Sequence, residues 1–134
     1  MKARILVVDD EPAILSFVEK VLRVGDYDVT LASDGPEALG KIEALGPFDL
    51  LLTDQMMPAM HGDELARRAR LQHPHLKVLY LTGFSDSLFE AKTTLWTDEA
   101  FLDKPCTVSE LLEAVALLLT GRLASDDLPL TEQT

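Results

Sequence analysis

Four short apolar runs in this chain each end on polar residues that a hydrocarbon core would not tolerate unpaired. ILVV runs into Asp9 and Asp10, DLLLT into Asp54, KVLYL into Thr82, and AFLD into Lys104, which precedes Pro105. The runs are as long as buried strands and are separated by helix-length stretches, the pattern of a parallel α/β sheet. Ligands of such sheets bind beyond the carboxyl ends of the strands. Four strand ends would therefore bring three carboxylates, a hydroxyl and an ammonium to one crevice.

Length and charge narrow the possibilities. A chain of 134 residues suits one domain with one core, and its 47% hydrophobic content is too high for disorder. Twelve basic and 23 acidic residues give a net charge of -11. Nucleic-acid binders carry basic patches, so direct contact with DNA or RNA is not expected. The single Cys106 excludes an internal disulfide and fits a reducing compartment. Lys2 and Arg4 lead into a strand and an acidic turn, unlike a signal peptide, and the apolar stretch 111–119 is broken by Glu113 and too short for a bilayer. The expected location is the cytoplasm, without membrane insertion.

The elements follow from periodicity and punctuation. Residues 5–8 form the first strand. Pro12 suits a first helical turn, Ile14, Phe17, Val18, Val21 and Leu22 follow helical spacing, and Gly25 is the expected stop. Residues 27–32 alternate like an edge strand. Ser33 or Asp34 caps a helix over 36–45 that ends at Gly46-Pro47. The third strand is 48–53. A loop punctuated by Pro58 and Gly62 leads to a helix over 63–72, whose Arg67, Arg68 and Arg70 read as a solvated face. The fourth strand is 77–82. Ser85 or Asp86 caps a fourth helix with Phe84, Leu88, Ala91 and Leu95 in its stripe. A short fifth strand spans 100–102. Thr107 or Ser109 caps a last helix that buries Val108, Leu111, Leu112, Val115, Leu118 and Leu119 and stops at Gly121. The result is α/β, a doubly wound (βα)5 domain over 1–121, followed at 122–134 by a polar tail or linker stub.

Clustered carboxylates repel one another unless a cation sits among them, and hard oxygen donors suit Mg2+. Asp10 and Asp54 are the expected direct ligands, with Asp9 acting through water. Lys104 and Thr82 add a cation and a hydroxyl, the partners that phosphoryl oxygens require. A carboxylate can itself accept a phosphoryl group, and Asp54, on the central strand, is the best placed to do so. Taken singly, each residue has a blander reading: a solvated turn for Asp9-Asp10, a cap for Asp54, a strand-end Thr82, a surface Lys104. Their joint occurrence at strand ends favours the site. His73 and His75 lack further ligands and read as surface, and Cys106 reads as a small packing residue. Trp96 reads equally as packed or as a partner anchor.

ILVVDDEP, LLLTDQMMPAMHGDEL, VLYLTGF and AFLDKP together resemble the receiver domain of two-component response regulators, over residues 3 to about 120. The resemblance implies a flavodoxin-like, five-stranded parallel sheet in the order 2-1-3-4-5. It implies that Asp54 is the phosphoacceptor and that Asp9, Asp10, Asp54 and the backbone carbonyl of Met56 hold Mg2+. Thr82 and Lys104 complete the catalytic set, Thr82 and Phe101 form the switch pair, and the Lys104–Pro105 bond is cis. The implied donor is a phosphohistidine of a sensor histidine kinase or phosphotransfer protein. The implied output is a changed surface on the fourth helix, fifth strand and last helix, read by an unidentified protein target. Homodimerisation through the fourth-helix face stays open. The family is self-phosphorylating with slow autodephosphorylation, and is not a metabolic enzyme.

The chain departs from the family pattern in places. The stretch before Phe101 is Trp96-Thr97-Asp98-Glu99-Ala100, where a Gly-Ala pair is frequent, and Phe101 lacks the hydroxyl of a tyrosine. Met56 and Phe84, two residues after Asp54 and Thr82, are bulky and apolar where the attacking water would pass. A haloacid-dehalogenase-like phosphatase would use similar residues, but with an Asp-x-Asp after the first strand, where this chain has Asp9-Asp10-Glu11. A receiver-like module that is never phosphorylated is the other competitor. A flavodoxin-like cofactor protein would need a phosphate loop after the first strand, and none is visible.

Overall fold

The computed structural model describes residues 2–83 and 98–121. The predicted fourth helix, with Phe84 and Trp96, and the tail at 122–134 lie outside the described residues. Five parallel strands are arranged in the order β2-β1-β3-β4-β5, as expected. They are β1 (Arg4–Val8), β2 (Asp28–Ala32), β3 (Leu50–Thr53), β4 (Lys77–Thr82) and β5 (Glu99–Asp103). The described helices are α1 (Pro12–Val24), α2 (Gly35–Leu45), α3 (Gly62–Gln72) and α4 (Val108–Thr120). None of them is long and apolar enough to cross a membrane.

The continuous apolar runs are explained by burial on both faces. Successive strand residues point to opposite sides. Leu6, Val8, Leu51, Val78 and Tyr80 pack toward Ala38 and Ile42 of α2 and Leu65, Ala66 and Ala69 of α3. Ile5, Val7, Leu50, Leu52, Leu79 and Leu81 pack toward Val18, Val21 and Leu22 of α1 and Leu111 and Val115 of α4. The more alternating β2 lies at an edge, as its sequence implies.

Helix ends follow local chemistry, with corrections. Pro12 opens α1, and Asp34, not Ser33, caps α2 by accepting the Glu37 N–H at 2.8 Å. Ser33 donates its N–H and hydroxyl to the Glu37 carboxylate, which these bonds hold down at about 2. Thr107 and Glu110 form a reciprocal capping box on α4. The helix α1 does stop at Gly25, but the left-handed residue is Asp26 at φ 67°. Gly25 answers a packing need: a Cβ there would lie 2.9 Å from Leu112 and from Tyr27. Val108, expected inside, is 47% exposed, because the first turn of α4 projects beyond the core. Arg70, expected on a solvated face, instead donates to the Asp98 carbonyl at 3.2 Å. It lies one turn after the buried Ala66, on the side of α3 that meets the sheet.

Candidate functional site

The strand register determines which side chains meet. Val8 pairs with Thr53, and Thr82 pairs with Asp103. Asp9 and Asp54 therefore leave adjacent strands at the same level, with the Asp54 N–H donating to the Val8 carbonyl at 3.0 Å. The Lys104 N–H donates to the Thr82 carbonyl at 3.1 Å and fixes the start of the segment after β5. Lys104–Pro105 is cis; so is Gly46–Pro47, which nothing in the sequence signalled.

Asp9 and Asp54 are buried and Asp10 is exposed. One carboxylate oxygen from each of the three lies within 4.8 Å of the others. Among the described residues this is the one group of three or more His, Cys, Asp or Glu so placed, and His73 and His75 belong to none. The Lys104 ammonium donates to Asp9 Oδ2 at 2.9 Å, Asp54 Oδ2 at 3.2 Å and Glu11 Oε1 at 3.3 Å. The other Asp54 oxygen, Oδ1, accepts the Gln55 N–H at 2.7 Å, and Asp9 Oδ1 accepts the Glu11 N–H at 2.9 Å.

Charge and burial compete here. Burial pushes the Asp9 carboxyl above its ordinary range, and the charge of Asp54 adds to this; the pull of Lys104 and of the Glu11 N–H does not cancel it. Burial alone would push the Lys104 ammonium down, but hydrogen bonds and charges from Asp9 and Asp54 outweigh it and hold it above its usual value. The rim thus gathers several carboxylates around a single ammonium, and that surplus of negative charge and hard oxygen atoms suits a divalent cation.

The remaining predicted residues surround this centre. Thr82 is fully buried at the end of β4. Met56 opens the loop beyond Asp54 and is 37% exposed, and Phe101 on β5 is 38% exposed. The backbone of this loop runs close: Gly62 donates its N–H to the Gln55 carbonyl at 2.9 Å, and a Cβ on Gly62 would lie 2.1 Å from the Asp54 carbonyl oxygen.

Two participants were not singled out from sequence. Glu11 follows the acid pair and reaches Lys104, and its place in Asp-Asp-Glu was the available signal. Gln55 is fully buried and bonded to Asp63 of α3. Away from the site, Glu99, at the departure before Phe101, is buried at the start of β5, the end of that strand opposite Lys104. Burial and the neighbouring Glu99 charge push the Tyr80 hydroxyl far above its ordinary pKa.

Comparisons with known proteins identify the family and the fold. The response regulator receiver domain profile matches residues 5–116. The chain is 37% identical over 117 residues to the transcriptional regulatory protein TrcR of Mycobacterium tuberculosis, a match covering 87% of this chain and 45% of TrcR. It is 35% identical to the response regulator receiver protein CpdR of Brucella abortus, over 87% of this chain and 96% of CpdR. The chain thus spans under half of one relative and nearly all of the other. Its fold superposes on the response regulator TrrA of Thermotoga maritima, solved in complex with Mg2+-BeF, with a TM-score of 0.77 and 37% identity, covering 89% of this chain and all of that one. With that profile running over most of its length and relatives such as CpdR covered almost end to end, the chain belongs to the response regulator receiver domain family of two-component phosphorylation signalling.

Proposed function

We propose that this chain is a phosphorylation-controlled switch in which Asp54 accepts a phosphoryl group from a phosphohistidine of a sensor histidine kinase or phosphotransfer protein. The observation that carries this reading is the setting of Asp54. Its carboxylate is buried just beyond the end of the central strand, with one oxygen held by the Gln55 N–H and the other by the Lys104 ammonium. Such a group is oriented before the donor arrives, which lowers the barrier to attack. An Asp54 oxygen forms a bond to phosphorus, the bond from phosphorus to the imidazole nitrogen breaks, and the electron pair returns to the ring. Lys104 is close enough to pair with the phosphoryl oxygens as they enter.

The donor set fits Mg2+. Asp9, Asp10 and Asp54, with the backbone carbonyl of Met56, would hold it, and the exposure of Asp10 leaves room for water ligands. When bound, the metal supplies positive charge against the repulsion between phosphoryl oxygens and the carboxylates.

Thr82 and Phe101 are our switch pair. A hydroxyl drawn toward the phosphorylated Asp54 would free space for the Phe101 ring, and the change would be read on the helix expected between β4 and β5, on β5 and on α4 by a downstream protein. The domain would cover 1–121, with 122–134 as tail or linker, and act in the cytoplasm without direct nucleic-acid contact. The phosphoryl group leaves when water attacks phosphorus and inorganic phosphate is released. Met56 and Phe84 would slow that step by excluding water. Met56→Asn and Phe84→Glu should each speed hydrolysis on the order of tenfold, about 1.4 kcal/mol of barrier. Unchanged hydrolysis in both would remove the argument.

The test is intact mass after incubation with acetyl phosphate and Mg2+. One added phosphoryl group is expected on the wild type, and none without Mg2+ or on Asp54→Asn. No addition at saturating donor would replace this reading with a receiver-like binding module.

A further inference from the structure

Gln55 stands next to Asp54 in sequence, yet its side chain is fully buried and points away from the acidic cluster, toward α3. Its amide makes two bonds to one residue eight positions later. Nε2 donates to Asp63 Oδ1 at 2.6 Å, and Oε1 accepts the Asp63 N–H at 2.8 Å. The orientation of the amide follows from chemistry, because a main-chain N–H can only donate. A third bond, from the Gly62 N–H to the Gln55 carbonyl at 2.9 Å, lies beside these two.

The bonds serve two purposes at once. The residue at the N-cap of α3, His61, offers no side-chain cap. The Asp63 N–H belongs to the first turn and needs an acceptor, and Gln55 supplies it from outside the helix. The same contacts close the loop from 55 to 62 at its base. That loop carries Met56 and the left-handed Ala59, at φ 72°. It also begins with the N–H that holds Asp54 Oδ1 at 2.7 Å. The peptide plane before Gln55 cannot rotate without breaking that bond, and the side-chain clamp opposes its rotation.

We infer that the Gln55–Asp63 clamp is a positioning device: it holds the Asp54 carboxylate and the loop beyond it in the geometry the reaction needs. The inference rests on the reading of Asp54 as phosphoacceptor. Gln55 is a positioning residue, acting through the main chain and not on the donor. A misplacement of about 1 Å in a reacting group can cost as much as a hundredfold in rate.

The experiment compares Gln55→Met, which keeps the unbranched volume, with Asp63→Leu and Asp63→Asn. Rates of phosphorylation are taken by intact mass at saturating acetyl phosphate and Mg2+, and Mg2+ affinity by calorimetry. Gln55→Met and Asp63→Leu should each slow phosphorylation on the order of tenfold, with native circular dichroism. The double variant should be no slower than either single one, because both remove the same clamp. Asp63→Asn keeps an acceptor oxygen and should retain the wild-type rate. A Gln55→Met protein that is less stable but as fast as the wild type overturns the inference, as do additive losses in the double variant. So does failure of both single variants to fold, which would make the clamp a folding element. If the wild type binds Mg2+ but takes no phosphoryl group, the phosphoacceptor reading fails instead. The clamp is then judged on the Mg2+ dissociation constant, which an idle Gln55 would leave unchanged in Gln55→Met.

Discussion

Two ion clusters in this molecule have contacts of similar length and opposite character. On α3, Glu64 meets Arg67 and Arg68, each at 2.7 Å. At the rim, Lys104 meets Asp9, Asp54 and Glu11 at 2.9, 3.2 and 3.3 Å. The α3 cluster gives one acid two bases in water, and hydrogen bonds from Arg67 and then Arg68 hold Glu64 down at about 2. The rim gives one base several acids, two of them buried, and burial drives Asp9 the other way. Distance alone does not distinguish the clusters. Burial and the balance of charge do, and they leave only the rim with an unmet demand for positive charge.

The strongest way to break this comparison is to remove the base from each side. Lys104→Met should slow phosphorylation by acetyl phosphate on the order of a hundredfold, the usual cost of losing one donor to a developing charge. It should also destabilise the Mg2+-free protein by about 3 kcal/mol in urea unfolding, since buried carboxylates lose their partner. A rate within twofold of the wild type would place the ammonium outside the reaction.

A smaller effect should follow from removing the misfit acid. The folded pKa of Asp9 is raised above 3.8, so folding favours its protonated form. Its contribution to stability is therefore full below that value and is lost as the pH rises through the raised pKa. At neutral pH the ionised group is a net cost. Asp9→Asn should raise the melting temperature of the Mg2+-free protein at pH 7, and the gain should fade below about pH 4. The same variant should lose much of the stabilisation that Mg2+ gives. A lower melting temperature at pH 7 would mean that the bond to Lys104 outweighs burial.

The smallest effect belongs to the other cluster. Glu64 is half-exposed and its two arginine partners are exposed, and such surface pairs are screened by salt. Glu64→Gln should leave the melting temperature unchanged at pH 7 in physiological salt, and leave phosphorylation unchanged as well. A clear loss in either would show that the two clusters are more alike than their burial implies.

Much of the fold and the rim was legible because it is written in local patterns. The runs before Asp9, Asp54, Thr82 and Lys104 become β1, β3, β4 and β5 within two residues of the expected bounds. Pro12, Asp34 and Thr107 mark helix starts by chemistry that involves only their own neighbours. The misses share a different cause. Arg70 shares a helix with Arg67 and Arg68, and only the position of the chain entering β5 makes it a half-buried donor to Asp98. Val108 has the spacing of a core residue, but it lies in the exposed first turn of α4 with Ser109 and Glu110. Gln55 has no pattern at all in sequence, because its partner Asp63 lies across a loop whose path is fixed by Gly62 and Ala59.

The sequence by itself determined that this protein is a parallel α/β domain with its polar chemistry at strand ends. Apolar periodicity and turn residues act over a few positions, and a parallel sheet has few other ways to bury such runs. Only the tertiary structure decided which polar groups are buried, which carboxylates share Lys104, and that Gln55 joins the loop after Asp54 to α3. Those outcomes depend on desolvation and on partners contributed by distant elements, and neither quantity is carried by any short stretch of chain.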